Sequence, residues 1–197
     1  MKHFTELVLQ SCNFSYNKSP VLQDITLSLT SENFYGLIGP NGSGKSTLLS
    51  LLAANRAPEK GSCRLNNDNH FKWTKKKLAK HLAVVPQNHY LDYDFTVEDI
   101  VLMGRYPFLP RFSAPSKKDR AIVEKSMDML DIKKFRNRAV SKLSGGEKQR
   151  VAVARCLAQE CPVILLDEVT ANLDITHTID IMSILKQKAE QDNTLIV

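Results

Sequence analysis

The stretch Gly39-Pro40-Asn41-Gly42-Ser43-Gly44-Lys45-Ser46-Thr47 constrains this 197-residue chain more than any other. It spaces a glycine, four residues, then Gly-Lys-Ser. A short apolar run, Phe34–Ile38, precedes it, and Ser46–Ala53 follows with Leu48, Leu49 and Leu52 on one helical face. Strand, glycine-rich turn and helix form the context in which such a loop cradles a phosphate chain. Glycines let successive backbone N–H groups curl round an anion, and the helix N-terminus adds partial positive charge. Lys45 is then placed to reach the β- and γ-phosphates of a nucleotide, and the Ser46 hydroxyl to bind Mg²⁺.

The rest of the chain suits such a loop. Residues 5–10 and 21–29 read as strands, with Ile25, Leu27 and Leu29 alternating with Thr26 and Ser28. Leu82–Val85, Val163–Leu166 and Thr194–Val197 are short, continuous apolar runs. Strands of that kind, separated by helical segments, indicate a parallel sheet covered on both faces. From Thr96 to Ala158 the period is helical: Val123, Met127 and Leu130 share one face, and Val151, Ala154 and Ala158 another. Within that tract, residues 106–116 hold three prolines and no period, so they read as a loop. These patterns indicate an α/β fold, a core built on a parallel sheet into which a mostly helical subdomain is inserted. The expected division is one domain over 1–197, with 1–86 and 159–197 as the nucleotide-binding core and 87–158 as the insertion.

Composition narrows the class without choosing a partner. At 43% hydrophobic and 24% charged residues, the chain lacks the low-apolar signature of disorder. Its apolar runs fall well short of the roughly 18 residues a membrane span needs. The start, MKHFTELVLQ, has no apolar stretch of the kind a secretory signal carries. A net charge of +6 permits contact with a polyphosphate, nucleic acid or anionic surface and selects none. The densest basic run, Lys75-Lys76-Lys77, reads as a solvated helix face. Cys12, Cys63, Cys156 and Cys161 form no metal-ligand spacing and read as buried thiols in a reducing compartment.

Two further segments carry chemistry. Val163-Ile164-Leu165-Leu166-Asp167-Glu168 is a buried strand ending in two carboxylates. Beside a phosphate-binding loop, an Asp there holds Mg²⁺ and a following Glu can polarise an attacking water. Leu143-Ser144-Gly145-Gly146-Glu147-Lys148-Gln149 places two glycines at the start of a helical run, a second backbone anion site to which the Ser144 hydroxyl adds a donor.

In order and approximate spacing, GPNGSGKST, LSGGEKQ and ILLDE resemble the ATP-binding subunits of ABC transporters, over essentially the whole chain. The resemblance implies an α/β fold with a P-loop NTPase core around a parallel sheet, an N-terminal antiparallel β subdomain and an inserted helical subdomain, and it implies ATP and Mg²⁺ as ligands. It implies ATP contacts from Gly39 through Thr47 and Mg²⁺ contacts from Ser46, Asp167 and Gln87, the last in the position of the family's Q-loop glutamine. Glu168 becomes the general base, with Lys45 and Gln87 beside it in catalysis. Tyr16, in Phe14-Ser15-Tyr16, falls where the family stacks an aromatic on adenine, although either ring could instead be core. Asp174 resembles the D-loop aspartate at a dimer interface. Ser144, Gly145, Gly146 and Glu147 resemble the signature that caps ATP bound by a second subunit, in a head-to-tail homodimer. Such subunits sit peripherally on the cytoplasmic face of the inner membrane. They work on transmembrane permease subunits, indirectly with a substrate-binding protein, and do not bind nucleic acid.

The segment Thr96–Pro107, with its Gly104-Arg105-Tyr106-Pro107, and the run Leu173–His177 are similar to importers of iron complexes, that is ferric siderophores, haem or cobalamin. Zinc and manganese importers share a related segment and are the alternative. Three departures stand out. The family's switch histidine follows the strand placed at Thr194–Val197, and the sequence ends at Val197, so the chain reads as a C-terminally truncated cassette. A nucleotide-binding remnant without turnover is then a further alternative. His177 reads as a helix-surface residue, not a replacement. Val169 stands where the family usually has proline, and Ala54-Asn55 where it commonly has glycine.

Overall fold

A computed structural model describes residues 4–86, 94–169, 175–192 and 194–197, with the side chains of 176 and 177 excepted. The chain forms two compact units: residues 1–84, 162–167 and 185–197 in the first, and 85–161 with 168–184 in the second.

The first unit contains an antiparallel sheet of β1 (Glu6–Tyr16), β2 (Ser19–Thr30) and β3 (Lys60–Leu65), in the order β2-β1-β3. Alternation along β1 buries Leu7 and Leu9 fully, as the period of a half-buried strand requires. The register Leu7↔Leu29 and Leu7↔Leu65 stacks leucines across all three strands. Shifts between Leu9 and Cys12 and between Cys12 and Phe14 mark bulges, with Ser11 at φ 46° and Asp24 at φ 47° taking up the extra residues. Both early strands are therefore longer than the sequence period showed.

The second sheet runs β4 (Leu82–Val85), β5 (Val163–Leu166), β6 (Leu195–Ile196), with β5 and β6 parallel. The expected strand at 34–38 is reduced to a single parallel bridge, Phe34 to Ile196. Tyr35 N–H donates to the Ile196 carbonyl at 2.8 Å, while Leu37 and Ile38 are exposed, so among the described residues the apolar run is tied to the sheet at its start. Among the described residues no strand flanks its far side, and pairing on both edges is what a continuous buried strand needs.

Helix α1 (Lys45–Leu52) packs Leu48, Leu49, Leu51 and Leu52 into one core cluster with Leu7, Leu9, Leu65, Val163 and Leu165. Cys12 and Cys63 lie in that cluster, and burial, with the neighbouring Cys12 second, pushes the Cys63 thiol up to about 12. All four cysteines are buried and unbridged, which fits inert thiols. A short helix α2 (Lys75–Leu78) carries the lysine run on its exposed surface and buries only Leu78.

The second unit is helical: α3 (Val97–Leu102), α4 (Lys117–Met129) and α5 (Gly145–Ala158) pack on one another. Each starts with a reciprocal capping box, Thr96 with Asp99, Ser116 with Asp119 and Ser144 with Glu147. The proline-containing stretch is not wholly irregular: Met103–Phe108 makes a 3₁₀ turn that continues α3. Its fixed point is Arg105, buried, with Nε 3.0 Å from Asp119, Nη1 2.8 Å from the Ala158 carbonyl and 3.1 Å from Glu160. Gly104 is required beside it, because a Cβ there would stand 2.3 Å from the Arg155 carbonyl oxygen. A last helix, α6 (Ile175–Asp192), leads to β6. No helix among the described residues is long and apolar enough to cross a membrane.

Candidate functional site

The loop from Gly39 to Gly44 turns on a Ser43 N–H to Pro40 carbonyl bond of 3.2 Å and enters α1 through Gly44 at φ 92°. That left-handed N-cap suits glycine, and a Cβ there would also stand 3.0 Å from Leu22 Cδ2. Gly44 brings no side chain to cap the helix, and the first turn of α1 holds no acidic residue. Among the described residues no side chain caps the first N–H groups of α1, which suit an external acceptor at the helix end where the dipole favours negative charge. Lys45 Nζ donates to the Gly39 carbonyl at 2.9 Å and the Pro40 carbonyl at 2.8 Å, so the ammonium is held back across its own loop. Asn41, Gly42 and Ser43 form the exposed tip, and Thr47 is buried on the core side of α1.

Ser46 and Asp167 lie 121 residues apart and meet here: Ser46 Oγ donates to Asp167 Oδ1 at 3.0 Å. Strand β5 delivers Asp167 because Val163, Ile164 and Leu165 are buried, and its end stops at the loop. The pair offers a cation two hard oxygens. Among the described residues no group of three or more His, Cys, Asp or Glu gathers as a metal cage. Two protein oxygens, completed by phosphate and water, are what Mg²⁺ commonly takes, so these residues fit it. Glu168 follows Asp167, exposed and in the left-handed region at φ 49°, a conformation unusual for a residue with a side chain.

The structure separates the two aromatic candidates. Phe14 is 9% exposed and belongs to the core, whereas Tyr16 is 39% exposed at the end of β1. Their rings meet edge to face, 5.0 Å apart at 83°.

In the second unit, Ser144 caps α5. Its Oγ accepts from the Glu147 N–H at 3.3 Å, and Glu147 Oε2 accepts from the Ser144 N–H at 2.7 Å. The backbone bond from Ser144 leads the causes that hold the Glu147 carboxyl below its usual range. The Ser144 hydroxyl accepts in this arrangement and keeps its own proton to donate. Beyond its chain neighbours and the backbone of its own helix, no atom of the described residues lies within 4 Å of a Cβ built on Gly145, so this side of the helix start is open to an approaching group.

The sequence matches the ABC transporter family over residues 22–171. The chain belongs to that family. It is 37% identical to a cobalamin import ATP-binding protein of Halobacterium salinarum over 177 residues, 90% of this chain and 44% of that one. Identity is 36% to the ferric enterobactin transport ATP-binding protein of Escherichia coli, over 90% of this chain and 66% of that one. It is 35% to a manganese transport system ATP-binding protein of Listeria innocua, over 96% and 78%. Among solved structures, a metal-chelate type ABC transporter in an inward-facing conformation superposes with TM-score 0.83 at 30% identity, covering 100% of this chain and 72% of that one. A dimeric cassette in a post-hydrolysis state with ADP and Pi does so with TM-score 0.83 at 28% identity, over 97% and 86%. The ABC ATPase fold expected from the sequence is thereby shown.

For this ABC chain, the structure brings Gly39–Thr47 and Asp167 into one site and sets Glu168 next to Asp167 in sequence. Gln87 and Asp174 lie outside the described residues, as does the side chain of His177. Arg56, whose guanidinium carbon lies 4.8 Å from the Tyr16 ring centroid, was missed by motif reasoning, because it falls in no motif. The capping role of Ser144 was legible from Ser-x-x-Glu, a spacing that marks a helix start.

Proposed function

We propose that this chain is the ATP-binding and ATP-hydrolysing subunit of an ABC importer, and that its cargo is an iron complex such as a ferric siderophore, haem or cobalamin. The observation that carries the ATPase reading is the α1 N-terminus, where uncapped N–H groups, the Lys45 ammonium and the Ser46–Asp167 pair converge. A triphosphate takes the N–H groups of Gly42 through Thr47, the Ser43 N–H leaving the Pro40 carbonyl, and Lys45 leaves its loop carbonyls for the β- and γ-phosphates. Ser46 and Asp167 would hold Mg²⁺ together with Gln87, and the metal would supply positive charge against the phosphate oxygens. Glu168 accepts the proton of the attacking water as its oxygen bonds the γ-phosphorus and ADP leaves. Tyr16 stacks on the adenine.

In this reading Ser144, Gly145, Gly146 and Glu147 of one subunit close over ATP bound by a second, with Asp174 at the shared interface. The pair works from the cytoplasmic face on permease subunits and, through them, on a substrate-binding protein. Closure and reopening of the pair drive the permease. The iron-complex cargo is supported by the names of the cobalamin and enterobactin relatives. A manganese cargo is the second reading, favoured by a manganese relative that the chain covers over 78% of its length.

Steady-state phosphate release from Mg-ATP, with Glu168→Gln as control, tests the ATPase. Turnover that the substitution abolishes supports it; turnover that survives overturns Glu168 as base. Uptake of labelled ferric siderophore against labelled manganese, in cells with and without this chain, decides the cargo.

A further inference from the structure

Arg56 is attached to both halves of the proposed nucleotide site. Its backbone N–H donates to the Ser50 carbonyl at 3.2 Å, beside the Asn55 N–H at 3.0 Å, so the segment is tied to the last turns of α1. Ala54, at φ 53°, makes the turn that lets the chain fold back. The other end of α1 carries Lys45 and Ser46.

The Arg56 side chain reaches across to β1. Its guanidinium carbon lies 4.8 Å from the Tyr16 ring centroid and 5.8 Å from that of Phe14. Tyr16 is therefore held from its neighbour Phe14 by an edge contact and by a planar cation over its face. The chain downstream of Arg56 repeats the connection. Glu59 N–H donates to the Asn13 carbonyl at 2.8 Å, and Ser15 Oγ donates to Glu59 Oε2 at 3.0 Å. The end of β1 that presents Tyr16 is thus joined through residues 56–59 to the helix that presents the phosphate loop.

We propose that Arg56 is a positioning residue for the base subsite, holding the Tyr16 ring at a set distance from α1 so that base and phosphates of one nucleotide are gripped together. The proposal rests on the reading of Tyr16 as the adenine platform. A ring already fixed by its stack loses little freedom when a base lands on it, and that saving is felt as affinity. The effect is confined to ligands that have a base, since among the described residues the Arg56 guanidinium makes its polar contacts with the Tyr16 and Phe14 rings and no hydrogen bond or ion pair to Gly39–Ser46. Arginine fits the role because its flat guanidinium stacks on an aromatic face; lysine offers only a point charge.

The test is calorimetric titration of the chain with Mg-ATP and with Mg-tripolyphosphate, which has the phosphate chain and no base. Arg56→Ala is expected to weaken Mg-ATP about 2- to 5-fold and leave Mg-tripolyphosphate unchanged. Arg56→Lys recovers part of the loss, and Arg56→Ala adds nothing in a Tyr16→Ala background. Equal weakening of both ligands would give Arg56 a general structural role and overturn the proposal. Unchanged Mg-ATP binding in Arg56→Ala, with Tyr16→Ala still weakened, would overturn it while keeping Tyr16 as the platform. Wild-type Mg-ATP affinity in Tyr16→Ala would overturn the platform and the proposal together.

Discussion

Lys45 shows how one side chain can be read twice. The spacing of glycines before it marks a phosphate ligand, and the structure shows where it rests otherwise, across the Gly39 and Pro40 carbonyls. Those two bonds keep the ammonium at the loop mouth, so little movement is needed to reach a phosphate. Lys45→Ala removes a charge-assisted contact of the kind worth about 1.5–3 kcal/mol. Mg-ATP affinity, measured by calorimetry, is expected to fall about 10- to 100-fold, and unchanged affinity would overturn the site. His70 is a residue no motif flags, and it is fully buried. Its Nε2–H donates to the Leu52 carbonyl at 3.0 Å, and Nδ1 has no partner among the described residues. Burial lowers its pKa below the ordinary histidine value. Protonation therefore favours the unfolded chain. The stability His70 contributes is complete above the unfolded value near 6.5 and is lost as pH falls through the lower folded value. His70→Phe is expected to flatten the acid decline of the urea midpoint between about pH 7 and pH 5. An unaltered slope would place the acid sensitivity elsewhere.

Among elements, helix starts and sheet edges differed most in how plainly they could be read. The apolar runs at Leu82–Val85 and Val163–Leu166 became strands because a run of that length and composition has few other uses in a covered sheet. Phe34–Ile38 has the same composition and does not, because pairing depends on neighbours far along the chain, and among the described residues only Ile196 meets it as a bridge partner. Three capping boxes fix the starts of α3, α4 and α5, and each was present as Thr or Ser followed three residues later by Asp or Glu. The segment Gly104-Arg105-Tyr106-Pro107 resembles that of iron-complex importers, and its structural content is not legible locally. Arg105 binds Asp119, Glu160 and the Ala158 carbonyl, groups 14, 55 and 53 residues away. It thereby joins the 3₁₀ turn after α3 to the start of α4 and the end of α5. Ser116 first, and Arg105 after it, hold the Asp119 carboxyl below its usual range, so the acid stays charged for its partner. Arg105→Met keeps the bulk and leaves Asp119 with its charge partner gone. A loss of about 3 kcal/mol in urea unfolding is expected, the cost typical of breaking a buried pair from one side. A loss under about 1 kcal/mol would show the three contacts to be incidental.

At the scale of the whole molecule, one chain holds two helix starts suited to a phosphate, and they belong to different compact units. The α1 start lies in the first unit and the α5 start, with Ser144, in the second. The two ends are built differently. Gly44 leaves α1 uncapped, whereas Ser144 and Glu147 cap α5 from within. An uncapped start can bind an anion on its own; a start already satisfied by its own carboxylate is a weaker primary site and suits a secondary contact. That asymmetry supports Ser144 as a group that closes over nucleotide held by another subunit. It predicts a separable defect. Ser144→Arg should leave Mg-ATP affinity near wild type, since the α1 site is untouched, and abolish ATP-driven pairing, since a bulky cation blocks the α5 start. The comparison is made in a Glu168→Gln background, which holds ATP uncleaved. Ser144→Ala serves as control, because it removes the same cap, at a cost of about 1 kcal/mol, without adding bulk. Size-exclusion chromatography with light scattering should show ATP-dependent dimers for Glu168→Gln alone. Dimers should form at higher ATP with Ser144→Ala added and be absent with Ser144→Arg. Normal pairing of the arginine variant would mean that Ser144 does not face the partner's nucleotide, and the head-to-tail arrangement would fall with it.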